Sequence, residues 1–206
     1  MKALVTGGAR SGKSGFAERL CMTRAPRACY IATAQAYDTE MKERIALHRF
    51  QRESAGYDWQ TLEEAQALPE LLLRLGGAPE ARSAAQGSQP VSLHASRAPQ
   101  PSPAPMVLVD CLTLWLSNVL LAAGEDGEAA CRAAIDELAA AVERYPGPLV
   151  IVTNEVGDGI VPEYPLGRLY RDLGGIMNQR IARLCDEVFL VTAGIPIELK
   201  QLEYKL

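Results

Sequence analysis

Short, unbroken runs of apolar residues alternate along this chain with longer segments in which apolar side chains recur every three or four positions. Runs of the first kind are typical of strands buried on both faces of a parallel sheet, and the second pattern is typical of amphipathic helices. The runs predict strands over residues 3–6, 28–33, 106–110, 148–154 and, as the last strand, 187–192. The periodic segments predict helices over about 12–23, 38–51, 112–123, 128–144 and 166–184, with a further helix over 59–75 after a short extended piece. Strands that alternate with helices predict an α/β fold, a three-layer sandwich around a mostly parallel sheet.

Residues 76–105 interrupt this pattern. The segment is rich in Gly, Ala, Ser, Gln and Pro, and it contains six of the 13 prolines of the chain. Segments of this composition bury too little apolar surface to form a packed core. At 206 residues and 48% hydrophobic composition, the rest of the chain is long enough for one core. The sequence therefore predicts a single domain over residues 1–206 that carries a flexible, solvent-exposed insertion at about 76–105.

Charge and cysteine content exclude several classes of protein. The formal charge is −4, so no overall positive field would attract nucleic acid or an anionic membrane. The five cysteines have no C-x-x-C spacing, which argues against a zinc site and a disulfide framework. No signal peptide is evident, and no stretch reaches the roughly 18 to 20 apolar residues that span a bilayer. We expect a cytoplasmic protein with reduced thiols, without nucleic-acid binding or membrane insertion.

The first predicted strand is followed by a phosphate-binding motif. The pattern G-x-x-x-x-G-K-[ST] is matched by Gly7, Gly8, Ala9, Arg10, Ser11, Gly12, Lys13 and Ser14. Glycines let backbone N–H groups curl around phosphate oxygens, the lysine reaches the outer phosphates, and the hydroxyl of Ser14 is a ligand for Mg²⁺. A tight turn with a solvated lysine is the competing interpretation, which the strand and the helix around the motif disfavour. The motif predicts a nucleoside triphosphate site in a P-loop NTPase-type sandwich.

Asp110 closes a predicted buried strand and is a candidate metal ligand. A carboxylate at this place in an α/β sheet holds Mg²⁺ or its water shell, together with the hydroxyl of Ser14. The alternative is that Asp110 caps the helix that begins near Leu112.

His48 is a candidate nucleophile. The only other histidine, His94, lies in the predicted insertion. On the predicted helix over 38–51, His48 follows Met41 and Ile45 at helical spacing and is flanked by Arg44, Arg49 and Arg52. Neutral imidazole can attack phosphorus, and arginines stabilise the developing charge. A histidine hydrogen-bonded on the helix face is the alternative, and the residues alone favour neither.

Several motifs occur together in one order along the chain. They are Thr6–Ser14, the run Tyr30–Ala34, Asp38 to Met41 with Arg44, Ile45, His48 and Arg49, then Trp59 with Thr61 and Glu63, Val152 to Gly157 with Gly159 to Pro162, and Asn178 to Arg180. This combination resembles the bifunctional adenosylcobinamide kinase/adenosylcobinamide-phosphate guanylyltransferase family of cobalamin biosynthesis. The resemblance implies phosphorylation of a corrinoid, adenosylcobinamide, and then transfer of GMP from GTP to that phosphate to give adenosylcobinamide-GDP. It also implies GTP, ATP and Mg²⁺ as ligands and a homo-oligomer, a trimer.

Site residues are carried over from the family by motif position. The resemblance implies that His48 forms a covalent GMP-histidine. It implies that the nucleotide contacts the loop from Gly7 to Ser14, together with Ala32, Thr33, Ala34, Arg49, Phe50, Gln51, Arg52, Glu63 and Asp110. Arginines suit phosphate oxygens, and a glutamate can accept hydrogen bonds from a guanine edge or from ribose. Phe50 is equally consistent with a place in the core.

The chain differs from the family pattern at two residues and in one segment. Leu47 stands where some relatives have a second histidine, which leaves His48 as the one candidate. Asp110 stands where a glutamate is also found, so its shorter side chain would reach Mg²⁺ through water. Residues 76–105 have no family counterpart that sequence reasoning identifies.

Several questions stay open at the level of the sequence. For the kinase step, Glu155 is a candidate base because it follows the carboxyl end of a strand, or else it stabilises its loop. The phosphoryl donor is either ATP or GTP. A P-loop kinase without guanylyl transfer and a non-catalytic nucleotide-dependent switch are the alternative functions.

Overall fold

The computed structural model describes residues 1–35, 39–77 and 104–205, and within α2 it leaves the side chains of Glu40, Met41, Arg44, His48 and Gln51 undescribed. Its strands are β1 (Lys2–Thr6), β2 (Arg27–Ala32), β3 (Asp58–Glu63), β4 (Val107–Asp110), β5 (Leu149–Val152), β6 (Glu187–Thr192) and β7 (Ile195–Glu198). Its helices are α1 (Lys13–Arg24), α2 (Thr39–Ser54), α3 (Leu68–Leu75), α4 (Leu112–Ala123), α5 (Gly127–Arg144) and α6 (Pro165–Leu184), with a 3₁₀ turn at Gly124–Asp126.

The seven strands form one sheet in the order β3-β2-β4-β5-β1-β6-β7. All neighbouring pairs are parallel except β6 and β7, which are antiparallel. Successive side chains of a strand point to opposite faces, so the apolar runs supply two cores. One core packs against α3, α4, α5 and α6, and the other packs against α1. The predicted α/β sandwich with a mostly parallel sheet is confirmed.

Strand register brings the carboxyl ends of four strands to one edge of the sheet. Asp110 at the end of β4 is level with Ala32 of β2 and with Val152 of β5. Val152 is in turn level with Val5 of β1, two residues before the glycine-rich loop. Ligands of open α/β sheets bind at such an edge. The fold therefore brings the loop and Asp110 together although they are far apart in sequence.

The predicted helix over residues 59–75 is wrong in its first half. Residues Asp58–Glu63 form strand β3, which pairs in parallel with β2 at the edge of the sheet, and only Leu68–Leu75 is helical. The spacing of Leu62, Leu68 and Leu72 is compatible with one helix, but pairing with β2 provides backbone hydrogen bonds that local spacing does not report. Pro69 lies in the first turn of α3, where a missing N–H has no cost.

The strand over 187–192 is confirmed, but it is not the last. Strand β7 follows after a two-residue turn, in which Ala193 and Gly194 have φ values of 51° and 80°. Positive φ at both central residues is the geometry that matches the twist of a hairpin. The Ala-Gly pair between two apolar segments is the signal that sequence reasoning missed.

Most of the predicted insertion at 76–105 lies outside the described residues, which end at 77 and resume at 104. In the part of the chain that the structure describes, none of the helices combines the length and apolar character of a bilayer span.

Candidate active site

The glycine-rich loop curls tightly between β1 and α1. Gly12 precedes the helix with a φ of 92°, a conformation that glycine adopts without strain. Lys13 begins α1 and is only 9% exposed, and its Nζ donates a hydrogen bond of 3.0 Å to the carbonyl oxygen of Gly8. The lysine charge is therefore held across the loop, and the competing interpretation of a solvated surface lysine does not describe this structure.

Gly7 and Gly8 offer a matched pair of substitutions. A Cβ at Gly7 would clash with the carbonyl oxygen of Val191 and lie 2.8 Å from Oγ of Ser11, whereas a Cβ at Gly8 would meet nothing within 4 Å. We expect Gly7→Ala to lower the free energy of unfolding by about 2 kcal/mol, because backbone must shift to admit the methyl group. Urea denaturation without nucleotide measures this, and Gly8→Ala is the control. Equal stability of the two variants would contradict the geometry.

A cavity of about 480 Å³ opens at the carboxyl edge of the sheet. It is lined by Ala9, Arg10, Lys13, Ser14, Tyr30, Ala32, Ala34, Ile45, Arg52, Asp110, Cys111, Thr113, Leu114, Asn154, Glu155, Val156 and Tyr170. Eight of these residues were predicted as nucleotide contacts: Ala9, Arg10, Lys13, Ser14, Ala32, Ala34, Arg52 and Asp110. The cavity thus brings together the helical end of the loop, the end of β2 and the end of β4.

Asp110 does not cap helix α4. The N-cap residue is Cys111, without a side-chain capping bond, and Oδ2 of Asp110 instead accepts a hydrogen bond of 3.1 Å from the hydroxyl of Tyr30. Asp110 and the Ser14 hydroxyl line the same cavity, and a carboxylate and a hydroxyl are hard oxygen ligands of the kind that Mg²⁺ prefers. Among the described residues, no cluster of three or more His, Cys, Asp or Glu could hold a metal. The donor set therefore fits a cation that takes its remaining ligands from phosphates and water.

Thr33, a predicted nucleotide contact, does not line the cavity and instead forms hydrogen bonds within the protein. Its side chain is fully buried, and its hydroxyl donates to the carbonyl oxygen of Cys111 at 2.8 Å and accepts from the Cys111 N–H at 2.9 Å.

Burial raises the pKa of the Cys111 thiol to about 11, with a further contribution from Asp110. This thiol stays protonated near neutral pH, so it does not compete with a histidine as nucleophile.

Residues that follow β5 form another part of the cavity lining. Nδ2 of Asn154 donates to Oγ1 of Thr113 at 2.6 Å, and the hydroxyl of Tyr170 donates to the carbonyl oxygen of Thr113 at 2.8 Å. Glu155 lines the cavity, while its Oε1 accepts a hydrogen bond of 2.9 Å from the N–H of Gly157. Both interpretations of Glu155, base and loop stabiliser, are therefore compatible with its position.

Helix α2 forms the other wall and carries His48. Ile45, one turn before His48, and Arg52, one turn after it, both line the cavity. Residues at these spacings share one face of a helix. The side chains of His48 and Gln51 lie outside the described part of the chain, so their predicted roles stay predictions.

The remaining predicted contacts surround the outer part of α2. Nη2 of Arg49 lies 2.7 Å from Oε1 of Glu63 on β3, and both side chains are more than half exposed. Phe50 is 67% exposed, which excludes the core interpretation, and it lines a second cavity of about 320 Å³ that also includes Ile45 and Arg49. Arg49, Phe50 and Glu63 therefore lie beside the main cavity without lining it, as do Gly7, Gly8, Ser11 and Gly12 of the loop.

Comparison with known proteins identifies the family. The model of the family described as cobinamide kinase / cobinamide phosphate guanyltransferase matches residues 3–82 and 85–199. The chain belongs to this family. The "Bifunctional adenosylcobalamin biosynthesis protein CobP" of Pseudomonas aeruginosa is 40% identical over 203 residues, covering 97% of this chain and 98% of the relative. The corresponding CobU proteins of Salmonella typhimurium and Escherichia coli are 40% and 39% identical over 210 residues, covering 97% of this chain and all of each relative.

Membership of the cobinamide kinase and guanyltransferase family confirms the resemblance and the transferase class that the motifs predicted. It also corrects one expectation. The family model matches most of residues 76–105, a segment for which sequence reasoning identified no counterpart. Low-complexity composition conceals such a correspondence because it supplies no distinctive motif to align.

In this kinase and guanyltransferase, Glu18 of α1 faces Arg52, which lines the cavity. Oε1 of Glu18 lies 3.9 Å from Nη1 of Arg52. Burial raises the pKa of the Glu18 carboxyl from 4.5 to about 7, although Arg52 acts in the opposite direction. An ionised Glu18 is therefore unfavourable for the folded state over part of the neutral range.

We expect Glu18→Gln to remove a pH dependence of stability. The folded carboxyl binds a proton up to about pH 7, and the unfolded carboxyl only up to about 4.5, so the favourable contribution is complete below pH 4.5 and is lost as the pH rises through 7. Relative to the variant, the wild type should have a lower free energy of unfolding at pH 8 than at pH 5. Urea denaturation in metal-free buffer measures this, with Glu137→Gln as the exposed control. A difference that does not change with pH would contradict the assignment.

Several cavity residues were not predicted as site residues. They are Tyr30, Ile45, Cys111, Thr113, Leu114, Asn154, Val156 and Tyr170. Glu155 was predicted only as a candidate base for the kinase step. The polar residues at the end of β5 had a detectable signal, because a buried strand that ends in Thr-Asn-Glu places polar groups at the ligand edge. Tyr30 and Tyr170 had none, since a tyrosine in a strand or a helix is usually a core residue.

Proposed function

We propose that this chain phosphorylates adenosylcobinamide and then transfers GMP from GTP to adenosylcobinamide phosphate, with His48 as the covalent carrier. The observation that carries the proposal is the composition of the main cavity, in which the helical end of the P-loop, Asp110 and the two α2 residues that flank His48 share one space. A kinase needs only the loop and the carboxylate. A helix that carries a histidine between two residues of the same cavity supports the second reaction.

In the first half of guanylyl transfer, a ring nitrogen of neutral His48 attacks the α-phosphorus of GTP. A P–N bond forms as the P–O bond to pyrophosphate breaks, and the other ring nitrogen releases its proton. In the second half, a phosphate oxygen of adenosylcobinamide phosphate attacks the same phosphorus. The P–N bond then breaks, and the imidazole regains its proton as adenosylcobinamide-GDP is released.

The chain stabilises these steps through fixed charges. The buried ammonium of Lys13 and the N-terminus of α1 bind the phosphates of the nucleotide. Ser14 and Asp110 would hold Mg²⁺, which when bound neutralises charge on the phosphates. Among the described side chains, Arg52 is the arginine that both lines the cavity and lies within a turn of His48.

Intact-protein mass spectrometry tests the proposal. The protein is incubated with Mg²⁺ and GTP, with ATP as the comparison, and any adduct is mapped to a peptide. We expect an acid-labile, base-stable GMP adduct on His48 that disappears when adenosylcobinamide phosphate is added. No adduct with bound GTP would favour a kinase without transferase activity, and absence of corrinoid phosphorylation as well would favour a nucleotide-dependent switch.

A further inference from the structure

Arg52 makes an unusual set of contacts for an arginine on an outer helix. It is only 6% exposed, and its guanidinium carbon lies 3.6 Å from the centroid of the Tyr30 ring. It faces Glu18 of α1 at 3.9 Å. Tyr30 in turn donates its hydroxyl hydrogen bond to Asp110. One side chain of α2 therefore contacts α1 and β2, and through Tyr30 it is connected to the end of β4.

Stability does not explain this arrangement. A separation of 3.9 Å is too long for a hydrogen bond, and within the described residues Nε of Arg52 is buried without a hydrogen-bond partner. A buried donor left unpaired destabilises a fold, and buried ion pairs are often replaceable by apolar residues without loss. Burial also raises the pKa of the Glu18 carboxyl to about 7, so the ionised pair is formed against a desolvation cost.

The place of these contacts on α2 suggests what they do. Arg52 follows His48 by one helical turn, so a contact that fixes Arg52 also fixes the backbone that carries His48. Its two partners are tied to the nucleotide site: Glu18 lies one turn after Ser14 on α1, and Tyr30 is hydrogen-bonded to Asp110. Fixing α2 against these two residues fixes it relative to the loop and to Asp110, the predicted phosphate and metal ligands.

We propose that Glu18, Tyr30 and Arg52 form a positioning network that holds the His48 segment of α2 at the distance from the nucleotide that guanylyl transfer requires. The inference rests on the proposed function. In this network the Tyr30 ring is the main support, because the guanidinium stacks directly on it, and Glu18 orients the guanidinium from the side of α1. Neither Glu18 nor Tyr30 takes part in the chemistry; both act through Arg52.

The expected effect is on the rate of chemistry more than on nucleotide affinity. A displacement of about 1 Å in a reacting group can reduce a rate by about 100-fold. Tyr30→Leu removes the aromatic face and should slow transfer of GMP to His48 by at least about 30-fold at saturating GTP, with a smaller change in the GTP concentration that gives half the maximal rate. Tyr30→Phe keeps the face and should lose less than about 3-fold.

The experiment measures covalent labelling of the full-length protein by α-³²P-GTP in single-turnover conditions. The variants are Tyr30→Leu, Tyr30→Phe, Glu18→Ala, Arg52→Met and the double variant of Glu18→Ala with Arg52→Met. Arg132→Met is the control, because Arg132 is an exposed arginine of α5 that pairs only with Glu128 in the described structure. Thermal unfolding establishes that each variant is folded, and Glu18→Ala carries the test if Tyr30→Leu does not fold.

Three results together support the network. GMP labelling of Tyr30→Leu is slow, and labelling of Tyr30→Phe is close to the wild-type rate. The double variant of Glu18→Ala with Arg52→Met is labelled no more slowly than Arg52→Met alone. The proposal is overturned if folded Tyr30→Leu and Glu18→Ala are labelled at the wild-type rate, if Tyr30→Phe is as slow as Tyr30→Leu, or if the effects of Glu18→Ala and Arg52→Met multiply. These outcomes differ from failure of the proposed function, in which the wild type itself is not labelled.

Discussion

Replacement of His48 by alanine is expected to abolish covalent labelling of the protein by α-³²P-GTP, a loss of at least about 1,000-fold in transfer of GMP to adenosylcobinamide phosphate. Alanine cannot form the P–N bond, and the Cys111 thiol of the same cavity does not replace the imidazole, since burial keeps that thiol protonated. Phosphorylation of adenosylcobinamide should persist, because that step uses the loop and Asp110 without a covalent carrier.

His94→Ala provides the matched control, because His94 is the only other histidine of the chain. It should be labelled as the wild type is. Undiminished labelling of His48→Ala would refute the assignment of the nucleophile, and loss of phosphorylation in the same variant would show that His48 also serves the first reaction.

Replacement of Lys13 by methionine is expected to impair both reactions by at least about 100-fold. The Lys13 side chain is buried, and its Nζ lies 3.0 Å from the carbonyl oxygen of Gly8, where the loop curls. Methionine matches the length of the stem but supplies no positive charge to the phosphates of ATP or GTP. Both the initial rate of corrinoid phosphorylation and the rate of GMP labelling measure the effect.

Lys205→Met is the control for removal of one positive charge, because Lys205 is exposed near the carboxyl end of the described chain. It should leave both rates unchanged. If Lys13→Met reduced only one of the two rates, the two reactions would not share one phosphate site.

These two variants separate the shared part of the site from the part used by one reaction. Lys13 belongs to the loop that any phosphate transfer would need, whereas His48 belongs to a helix that only covalent transfer would need. Selective loss in one variant and joint loss in the other would together establish one cavity with two activities. Joint loss in both variants would instead indicate that α2 is required for nucleotide binding.

The glycine-rich loop could be identified from the sequence because its chemistry is local. The spacing of Gly7, Gly12, Lys13 and Ser14 encodes both the turn and the phosphate ligands within one segment. Asp110 could be identified nearly as well, because a carboxylate at the end of an apolar run is unusual. The hydrogen bond that Asp110 accepts from Tyr30 could not be identified. The two residues lie on neighbouring strands, and the sequence of neither strand indicates that they pair.

The two errors in the predicted secondary structure also arise from strand pairing that local sequence does not indicate. Spacing placed residues 59–63 in a helix, but they lie beside β2 as an edge strand, and strand β7 follows β6 only because the Ala193-Gly194 turn reverses the chain. Both outcomes depend on pairing partners elsewhere in the sheet. Propensity within a short window is a weak guide when such pairing supplies the backbone hydrogen bonds.

The alternation of strands and helices, the P-loop, the candidate carboxylate and histidine, and the family could all be identified from local patterns in the sequence. Tertiary structure decided which of these meet: the shared cavity of Asp110 with the loop, the flanking of His48 by two cavity residues, and the burial of Arg52 between Tyr30 and Glu18. The physical reason is that motifs and periodicity report contacts between residues close in sequence. The register of a parallel sheet and the packing of helices on it bring together residues whose separation along the chain carries no such signal.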